Sequence, residues 1–238
     1  MTDLYITWPD TATKLPQFLD LSIGRSPQYT EILKRVQDGA QFLDVGCCFG
    51  QDVRRLVFDG APIENVHGSD LQQSFLDLGY DLFLDHDKLP RSTFFTADVF
   101  ASGSKLDELA GNIDIIHAAS FFHLFNYKDS QTVAKKFISI LRKKPGSMVL
   151  GRQMGNVNAG EFEHKAGTGS MYRHNPESFQ KWWDEVGEAT GTKWDVFCEE
   201  DKTRSWQQHS GDSSPLRDPG RMPLRYCVRM LDARSYNI

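Results

Sequence analysis

Residues 42–52 constrain the fold most strongly, because an apolar run, an acid and two glycines follow one another there. The run from Phe42 has the composition of a buried strand, with Asp44 near its carboxyl end. Gly46 and Gly50 permit a tight turn in which backbone N–H groups approach a ligand without an intervening Cβ. An amphipathic segment then begins at Asp52. This order predicts a strand, a glycine turn and the start of a helix.

The acid in this turn indicates which ligand the turn would bind. A carboxylate at Asp44 suits a cationic group, whereas a dinucleotide fold leaves the helix N-terminus free for phosphate. S-adenosylmethionine carries two positive groups, an ammonium and a sulfonium. The turn therefore favours an S-adenosylmethionine site, with a purely structural glycine turn as the alternative at this point.

Two more acids follow predicted strands and strengthen the cofactor interpretation. Asp70 stands twenty residues after Gly50, where a carboxylate can accept hydrogen bonds from both ribose hydroxyls. Asp98 follows the next apolar run and can accept the adenine amino group. Leu71 and Val99, each directly after one of these acids, are predicted to pack on the faces of the adenine ring.

Composition limits the class of protein. The chain of 238 residues has a net charge of −5 and no extended basic cluster, which argues against nucleic-acid binding. No apolar run is long enough to span a membrane, and no signal sequence is apparent. The four cysteines lack CxxC spacing, so neither a zinc site nor a disulfide framework is predicted. We expect a cytoplasmic protein without a metal.

Strand-like and helix-like segments alternate along the chain, which predicts an α/β fold with a mostly parallel, doubly wound sheet. After the first strand, strands are predicted over 65–69, 93–97, 113–118, 147–152, 193–198 and 224–231. Helices are predicted over 27–36, 52–58, 71–85, 130–141 and 176–190. Two long segments, 153–175 and 199–223, are predicted as loops that act as lids or lack order.

Longer sequence blocks carry a resemblance to a known family. From about Phe18 onward the chain resembles class I S-adenosylmethionine-dependent methyltransferases, and in particular the fungal enzymes that methylate a carboxyl group in meroterpenoid biosynthesis. The resemblance rests on residues 18–22, 42–52, 68–71, 78–83, 114–125, 151–153 and 171–175.

The resemblance implies a seven-stranded sheet that ends in an antiparallel hairpin. It also implies that Asp44, Gly46 and Gly50 lie at the methionine part of the cofactor, Asp70 at the ribose, and Asp98 with Val99 at the adenine. Cys47 and Ala118 are assigned to the same site. One departure is Cys48, which stands where the general pattern has glycine, so the loop has to accommodate a small side chain.

The acceptor site is predicted near the end of the fourth strand. A carboxylate acceptor needs no general base, whereas a phenol or alcohol does, and histidine is the usual candidate. His117 and His123 are therefore predicted as catalytic residues, and Phe122 as part of the acceptor pocket. Arg152 and Gln153 are predicted to hold a substrate carboxylate. A structural role for each of these residues remains the alternative.

Three functions remain open from the sequence. The first is O-methylation of a hydrophobic small-molecule acid. The second is cofactor binding with another reaction or with no activity, and the third, disfavoured by Asp44, is a dinucleotide-dependent oxidoreductase. Residues 1–26 are predicted as a segment that mediates homodimerisation or folds back as a lid, and residues 27–238 as the cofactor-binding domain. Residues 1–17 differ from the longer N-terminal segment typical of the family.

Overall fold

The computed structural model describes residues 21–163, 169–202 and 220–233. Its strands are β1 (Phe42–Val45), β2 (Val66–Asp70), β3 (Phe94–Thr96), β4 (Ile115–His117), β5 (Met148–Asn156), β6 (Gly160–Glu163), β7 (Ser170–Arg173), β8 (Thr192–Glu200) and β9 (Arg221–Ala233). Its α-helices are α1 (Tyr29–Gln37), α2 (Gln51–Phe58), α3 (Gln73–Phe83), α4 (Lys105–Glu108), α5 (Tyr127–Ile140) and α6 (Pro176–Thr190).

Seven of these strands form one sheet in the order β3-β2-β1-β4-β5-β9-β8. The first five strands of that order run parallel, and β9 pairs antiparallel with both β5 and β8. The mostly parallel sheet and the antiparallel final hairpin confirm the predicted fold. Because β1, β2 and β3 are neighbours with the same direction, their carboxyl ends meet at one edge of the sheet.

Apolar side chains cover both faces of the sheet, as a doubly wound fold requires. One face packs an aromatic group on α5 and α6 that includes Phe137, Trp182 and Trp183, all with 0% exposure. The other face packs Ile32 of α1 and Leu56 of α2 against the strands. The sequence pattern of buried, continuously apolar strands follows from this double coverage.

The observed start agrees with the prediction for α6 and differs from it for α5, although an asparagine caps both helices. Helix α6 begins and ends as predicted, because the Asn175 side chain accepts a hydrogen bond from the Ser178 N–H at 2.8 Å and Pro176 occupies the first turn. Helix α5 begins three residues before the predicted residue 130. Asn126 caps it by accepting from the Asp129 N–H at 2.8 Å.

The segment 153–175 was expected to be a loop, and that expectation is wrong for its described part. Strand β5 continues to Asn156, and β6 and β7 form a separate antiparallel hairpin. The Tyr172 N–H donates to the Phe125 carbonyl oxygen at 2.7 Å, so the hairpin is held beside the segment that follows β4. Its strands are short and half-exposed, which is why they carry little strand signal.

The segment 199–223 is also shorter as a connection than predicted, because β8 extends to Glu200 and β9 begins at Arg221. Residues 203–219 lie outside the described residues, as do 1–20, 164–168 and 234–238. Most of the predicted N-terminal segment 1–26 and of the predicted loop 199–223 therefore lies outside the described part. None of the described helices has both the length and the apolar character that a membrane crossing demands.

Candidate cofactor and acceptor site

The glycine loop, residues 46–50, turns over the end of β2. The N–H groups of Gly46 and Cys47 both donate to the Ser69 carbonyl oxygen, at 2.8 and 3.0 Å. Gly46 and Gly50 have φ angles of +71° and +69°, a left-handed conformation that glycine adopts without strain. Gly50 is also the N-cap of α2. The glycines are therefore required by the backbone path of the loop.

Cys48 also adopts the left-handed conformation, with a φ of +52°, although it carries a side chain. Its N–H donates to Asp70 Oδ2 at 2.8 Å, which fixes the loop against the end of β2. Burial, together with the nearby Asp70 charge, raises the pKa of the Cys48 thiol to about 12. The thiol therefore stays protonated and is unsuited to act as a nucleophile.

Asp44 is buried in β1, with a relative exposure of 3%. Burial raises the pKa of its carboxyl to about 6, against the opposing charge of His117. His117 Nδ1 lies 2.8 Å from Asp44 Oδ1, whereas Oδ2 accepts no hydrogen bond from any residue in the described ranges. One oxygen of Asp44 is thus available to a cationic group at the carboxyl edge of the sheet.

His117 belongs to a buried hydrogen-bonded chain, which the sequence did not reveal. Its Nε2 lies 3.1 Å from Ser22 Oγ, and that hydroxyl donates to Asp52 Oδ2 at 2.8 Å. His117 therefore forms a histidine–acid pair with Asp44, which stands 73 residues earlier in the sequence. His117 is 2% exposed and faces protein atoms on both ring nitrogens. Its position is that of a residue that orients Asp44.

The cluster of Asp44, Asp52 and His117 has ligand atoms that all lie within 4.8 Å of one another, which is metal-ligand spacing. Their hydrogen bonds to one another and to Ser22 account for this closeness. A buried acid–histidine chain of this kind is stable when each polar group has a partner.

Asp70 ends β2 and contacts the glycine loop, and Asp98 stands two residues after the end of β3, the next strand of the sheet. Asp70 accepts the Cys48 N–H on Oδ2 and the Gln72 N–H, at 3.0 Å, on Oδ1, which leaves one lone pair on each oxygen. Burial raises the pKa of the Asp70 carboxyl above its ordinary value. Asp98 is exposed and accepts the Phe100 N–H at 2.9 Å on one oxygen.

Two apolar side chains flank these acids. Leu71 is 45% exposed and Val99 is half-buried against the core. Phe100 follows Val99 in sequence, and its ring packs edge to face against that of Phe125 with centroids 5.4 Å apart, which extends the apolar surface. Ala118 is fully buried and its carbonyl oxygen accepts from the Tyr226 hydroxyl at 2.7 Å. Ala118 therefore holds β4 and β9 together at this edge.

Phe122 and His123 lie in a short 3₁₀ turn after β4, Phe122–Leu124. Phe122 is 2% exposed and packs against Trp182 with ring centroids 5.1 Å apart. It forms part of the core, and the structure gives it no position on an open surface. His123 Nδ1 accepts the Met154 N–H at 3.3 Å. Met154 lies in the part of β5 that continues past the end of β4.

Arg152 and Gln153 point to opposite faces of β5, as successive strand residues do. Arg152 lines a cleft of about 40 Å³ together with Ser22, Arg25, His117 and Tyr226. Gln153 is 3% exposed, and its amide oxygen and nitrogen have no hydrogen-bond partner among the described residues. The prediction that both residues hold the same carboxylate is therefore not supported by their placement.

Arg54 and Gly79 shape the glycine loop, and neither residue was predicted from the sequence. Arg54 pairs with Asp85 through Nε at 2.6 Å and Nη2 at 3.0 Å, and its Nη1 donates to the Phe49 carbonyl oxygen at 2.5 Å. A Cβ added at Gly79 would lie 2.5 Å from that same oxygen. A glycine inside an otherwise helical segment was the available signal for this close approach.

A larger cavity, of about 290 Å³, lies at the opposite, amino-terminal edge of the sheet. Its buried acid, Asp114, forms ion pairs with Lys144 at 2.6 Å and Arg142 at 3.2 Å, so its carboxylate is already committed to neighbouring side chains. Ligands of parallel α/β sheets bind at the carboxyl edge. We therefore place the candidate site at the glycine loop.

The acceptors at this edge fit S-adenosylmethionine. Asp44, Asp70 and Asp98 end three adjacent strands, and none of them forms an ion pair with a described lysine or arginine. A set of carboxylates without a paired lysine or arginine among the described residues suits an ammonium, two hydroxyls and an amino group, and is unsuited to a pyrophosphate.

Comparison with known proteins decides the family. No family model matches the chain. The chain is 48% identical to the O-methyltransferase phiE of a fungal species over 185 residues, which cover 77% of the chain and 61% of phiE. It is 35% identical to the methyltransferase adrK of Penicillium rubens over 216 residues, which cover 87% of the chain and 73% of adrK. The chain belongs to this family of fungal S-adenosylmethionine-dependent methyltransferases. S-adenosylmethionine is therefore its cofactor.

The chain spans less than two thirds of the length of several relatives that it matches. This methyltransferase is 41% identical to the asnovolin E/chermesin D methyltransferase nvfJ of Aspergillus novofumigatus over 75% of its own length and 64% of that protein.

Solved structures show the same fold at low sequence identity. Phosphoethanolamine N-methyltransferase 2 of Haemonchus contortus, in complex with S-adenosylhomocysteine, aligns with a TM-score of 0.58 at 18% identity over 89% of this chain and 54% of that one. The [4+2]-cyclase SpnF aligns with a TM-score of 0.56 at 14% identity over 88% of this chain and 85% of that one. At these identities the likeness concerns the fold alone.

Proposed function

We propose that this chain is an O-methyltransferase that esterifies the carboxyl group of a hydrophobic small-molecule acid, a polyketide–terpenoid intermediate of secondary metabolism. The observation that carries the proposal is the row of three carboxylates at the ends of β1, β2 and β3, with one Asp44 oxygen uncommitted. The named relatives support the reaction class, since phiE is described as an O-methyltransferase.

Each carboxylate has a separate role in this proposal. Asp44 Oδ2 accepts a hydrogen bond from the cofactor ammonium, and the remaining lone pairs of Asp70 accept the ribose hydroxyls. Asp98 accepts the adenine amino group while Leu71 and Val99 contact the ring faces. Gly46, Cys47 and Gly50 keep the loop close to the methionine part, and Ala118 closes the site beneath it.

The cofactor would supply a methyl group on a sulfonium, and an acceptor oxygen would bond to the methyl carbon in line while the carbon–sulfur bond breaks and the neutral thioether leaves. A carboxylate is already ionised at neutral pH, so the protein has to orient it and exclude water. His117 is committed to Asp44 and Ser22. His123 accepts the Met154 N–H on Nδ1, so its neutral ring carries the hydrogen on Nε2 and is a donor there. These protonation states support an acceptor that needs no general base.

The cleft beside Arg152 supports an anionic acceptor. Arg25, Arg152 and Arg225 line it together with one acid, Asp201, and Arg225 pairs with Glu199. The volume of about 40 Å³ admits a carboxylate-sized group rather than a polycyclic skeleton. Arginine binds carboxylates through two parallel hydrogen bonds. We therefore assign the acceptor carboxylate to Arg152 and leave the apolar part of the acceptor to the surface outside this cleft.

Isotope transfer tests the reaction. The purified protein is incubated with S-adenosylmethionine labelled in the methyl group and with candidate polyketide–terpenoid acids. We expect labelled product that releases labelled methanol on alkaline hydrolysis. Label that is stable to base would show an ether or a C-methyl group, and cofactor binding without any transfer would favour a non-methylating reaction on the same fold.

Arg152→Gln tests the acceptor assignment. We expect a higher KM for the acid and an unchanged KM for the cofactor, because the guanidinium is assigned to the acid alone. A higher KM for the cofactor would assign Arg152 to the cofactor's own carboxylate. Arg91→Gln, which changes an ion pair on the surface, is the matched control.

We further propose that this methyltransferase acts in the cytoplasm as a homodimer and without nucleic acid or metal. The net charge of −5 supports the absence of nucleic acid, and the large aromatic residues Tyr5 and Trp8 near the N-terminus motivate the homodimer. Light scattering of the full chain and of a chain without residues 1–16 tests the dimer. A full chain that is monomeric at micromolar concentration would refute it.

A further inference from the structure

The buried series of hydrogen-bonded side chains Asp44, His117, Ser22 and Asp52 determines which atoms carry the hydrogens. Ser22 has one hydroxyl hydrogen, and it donates to Asp52 Oδ2 at 2.8 Å. His117 Nε2 lies 3.1 Å from the same hydroxyl oxygen, so Nε2 must carry the hydrogen of that contact. His117 Nδ1 faces Asp44 Oδ1 at 2.8 Å, and a hydrogen has to lie there as well. Asp44 and His117 together thus hold two hydrogens.

We propose that His117 is a positioning residue, an imidazolium held between Asp44 and Ser22, that keeps Asp44 ionised and oriented toward the cofactor ammonium. The proposal rests on the proposed role of Asp44 and goes beyond it, because it makes cofactor binding depend on a residue that the cofactor does not touch. Ser22 Oγ accepts the Nε2 hydrogen of His117 and donates its own hydrogen to Asp52, so Asp52 acts on His117 through Ser22.

The charges around the pair favour this assignment. Asp44 and Asp52 both lie close to the His117 ring, with Arg152 as the opposing cation from β5. Burial disfavours an imidazolium, but the two acids outweigh it and the pKa of His117 is raised above its ordinary value. Asp44 in turn faces Asp52 and Asp70, and its pKa is about 6. At neutral pH the shared hydrogen therefore lies on the histidine.

The hydrogen bonds from Asp44 through His117 and Ser22 to Asp52 also connect four elements that approach the glycine loop. Asp52 Oδ1 accepts the Ile23 N–H at 3.0 Å, so the turn at residues 22–25 is tied to the first turn of α2. His117 extends this connection across β4 to Asp44 in β1. Displacement of the turn would remove the acceptor of Nε2 and weaken the hold on Asp44.

The sign of the pH dependence follows from these groups. Cofactor affinity requires ionised Asp44, so it is present above pH about 6 and is lost as pH falls through that value. His117 lowers the pKa of Asp44 by its charge and its hydrogen bond. In His117→Gln the amide can still donate to Asp44 but carries no charge. The acid limit of binding should therefore move upward by roughly one to three pH units, the effect of one adjacent opposite charge.

Calorimetry with S-adenosylhomocysteine from about pH 5 to about pH 8.5 measures this limit. His67→Gln is the matched control, since His67 is half-buried in β2 and contacts Gln41 at 3.2 Å, away from the pair. We expect the control to keep the acid limit of the unchanged protein and His117→Gln to raise it. An unchanged acid limit in His117→Gln would overturn the proposal, because a merely structural histidine leaves the pKa of Asp44 in place.

Two further measurements keep the proposal testable if His117→Gln does not fold. Ser22→Ala retains both charged groups but removes the acceptor of Nε2, and we expect a smaller shift of the acid limit in the same direction. Nitrogen NMR of the histidine rings in the unchanged protein, with the His117 signals identified by their change in Ser22→Ala, should show an imidazolium at neutral pH. A neutral His117 ring would overturn the proposal.

The proposed function and this inference fail in different ways. Asp44→Asn should abolish measurable binding of S-adenosylhomocysteine at every pH. Unchanged binding in that variant would refute the placement of the ammonium at Asp44. Loss of binding in Asp44→Asn with an unmoved acid limit in His117→Gln would leave the placement intact and refute the role of His117 alone.

Discussion

Asp70→Asn tests the proposed ribose contact with little change in side-chain shape. Asp70 now accepts one backbone N–H on each oxygen, from Cys48 at 2.8 Å and from Gln72 at 3.0 Å. The second lone pair of each oxygen is assigned to a ribose hydroxyl. Asparagine retains one acceptor oxygen, and its amide nitrogen cannot accept from a hydroxyl or from a backbone N–H.

The expected magnitude follows from the bond that is lost. In either orientation of the amide, one ribose hydroxyl loses a charged acceptor. A hydrogen bond to a charged group contributes about 1.5–3 kcal/mol, so the affinity should fall by roughly ten- to a hundredfold. The loss of one backbone hydrogen bond loosens the glycine loop as well and acts in the same direction.

Calorimetry with S-adenosylhomocysteine measures the affinity, and thermal unfolding shows whether the fold is retained. Asp77→Asn is the matched control, because Asp77 pairs with Arg91 on the surface of α3. We expect the control to bind as the unchanged protein does. A folded Asp70→Asn variant with unchanged affinity would refute the assignment of the ribose to Asp70.

The remaining predictions concern Arg54 and Gly79, the two residues that contact the Phe49 carbonyl oxygen of the glycine loop. Arg54→Met leaves buried Asp85 without its ion-pair partner and should lower the free energy of unfolding, measured by chemical denaturation, by about 3–5 kcal/mol. The control Arg91→Met removes an exposed ion pair and should lower it by less than about 1 kcal/mol. Equal effects of the two substitutions would refute the stabilising role of the Arg54–Asp85 pair. Gly79→Ala places a Cβ 2.5 Å from a loop carbonyl oxygen and should weaken cofactor binding in calorimetry despite the better helix propensity of alanine. Gly160→Ala, at a position with no neighbouring atom within 4 Å, is the control, and equal affinity in the two variants would refute the role of Gly79 in holding the loop.

Residues whose role depends on their immediate neighbours could be predicted from the sequence. Gly46 and Gly50 adopt positive φ angles in a turn that the strand–glycine–helix order already indicates. Helix α6 has both of its signals, the Asn175 cap and the proline of its first turn, within a few residues of its start. The sheet follows from the alternation of apolar runs and helices, because a parallel sheet has to be covered on both faces.

The tertiary structure alone decided which side chains meet. Ser22, Asp44, Asp52 and His117 are separated by up to 95 residues, and the sheet register, which sets Asp44 beside His117, creates their contact. No local pattern carries that register. Strand pairing likewise decided that the segment after β5 forms a hairpin, because an isolated short strand gains stability only from a partner.

For the residues predicted at the acceptor site, too, the sequence indicated the residue type and the tertiary structure decided the position. Phe122 was recognisable as an aromatic residue after β4, but the packing of α6 decided that its ring lies in the core. Arg152 and Gln153 were recognisable as polar residues on β5, and the extension of that strand to Asn156 decided that they lie on opposite faces. The sequence thus determined the fold and the cofactor edge of this methyltransferase through local chemistry. The positions of its buried polar groups depended on contacts between distant segments, which form only when the sheet assembles.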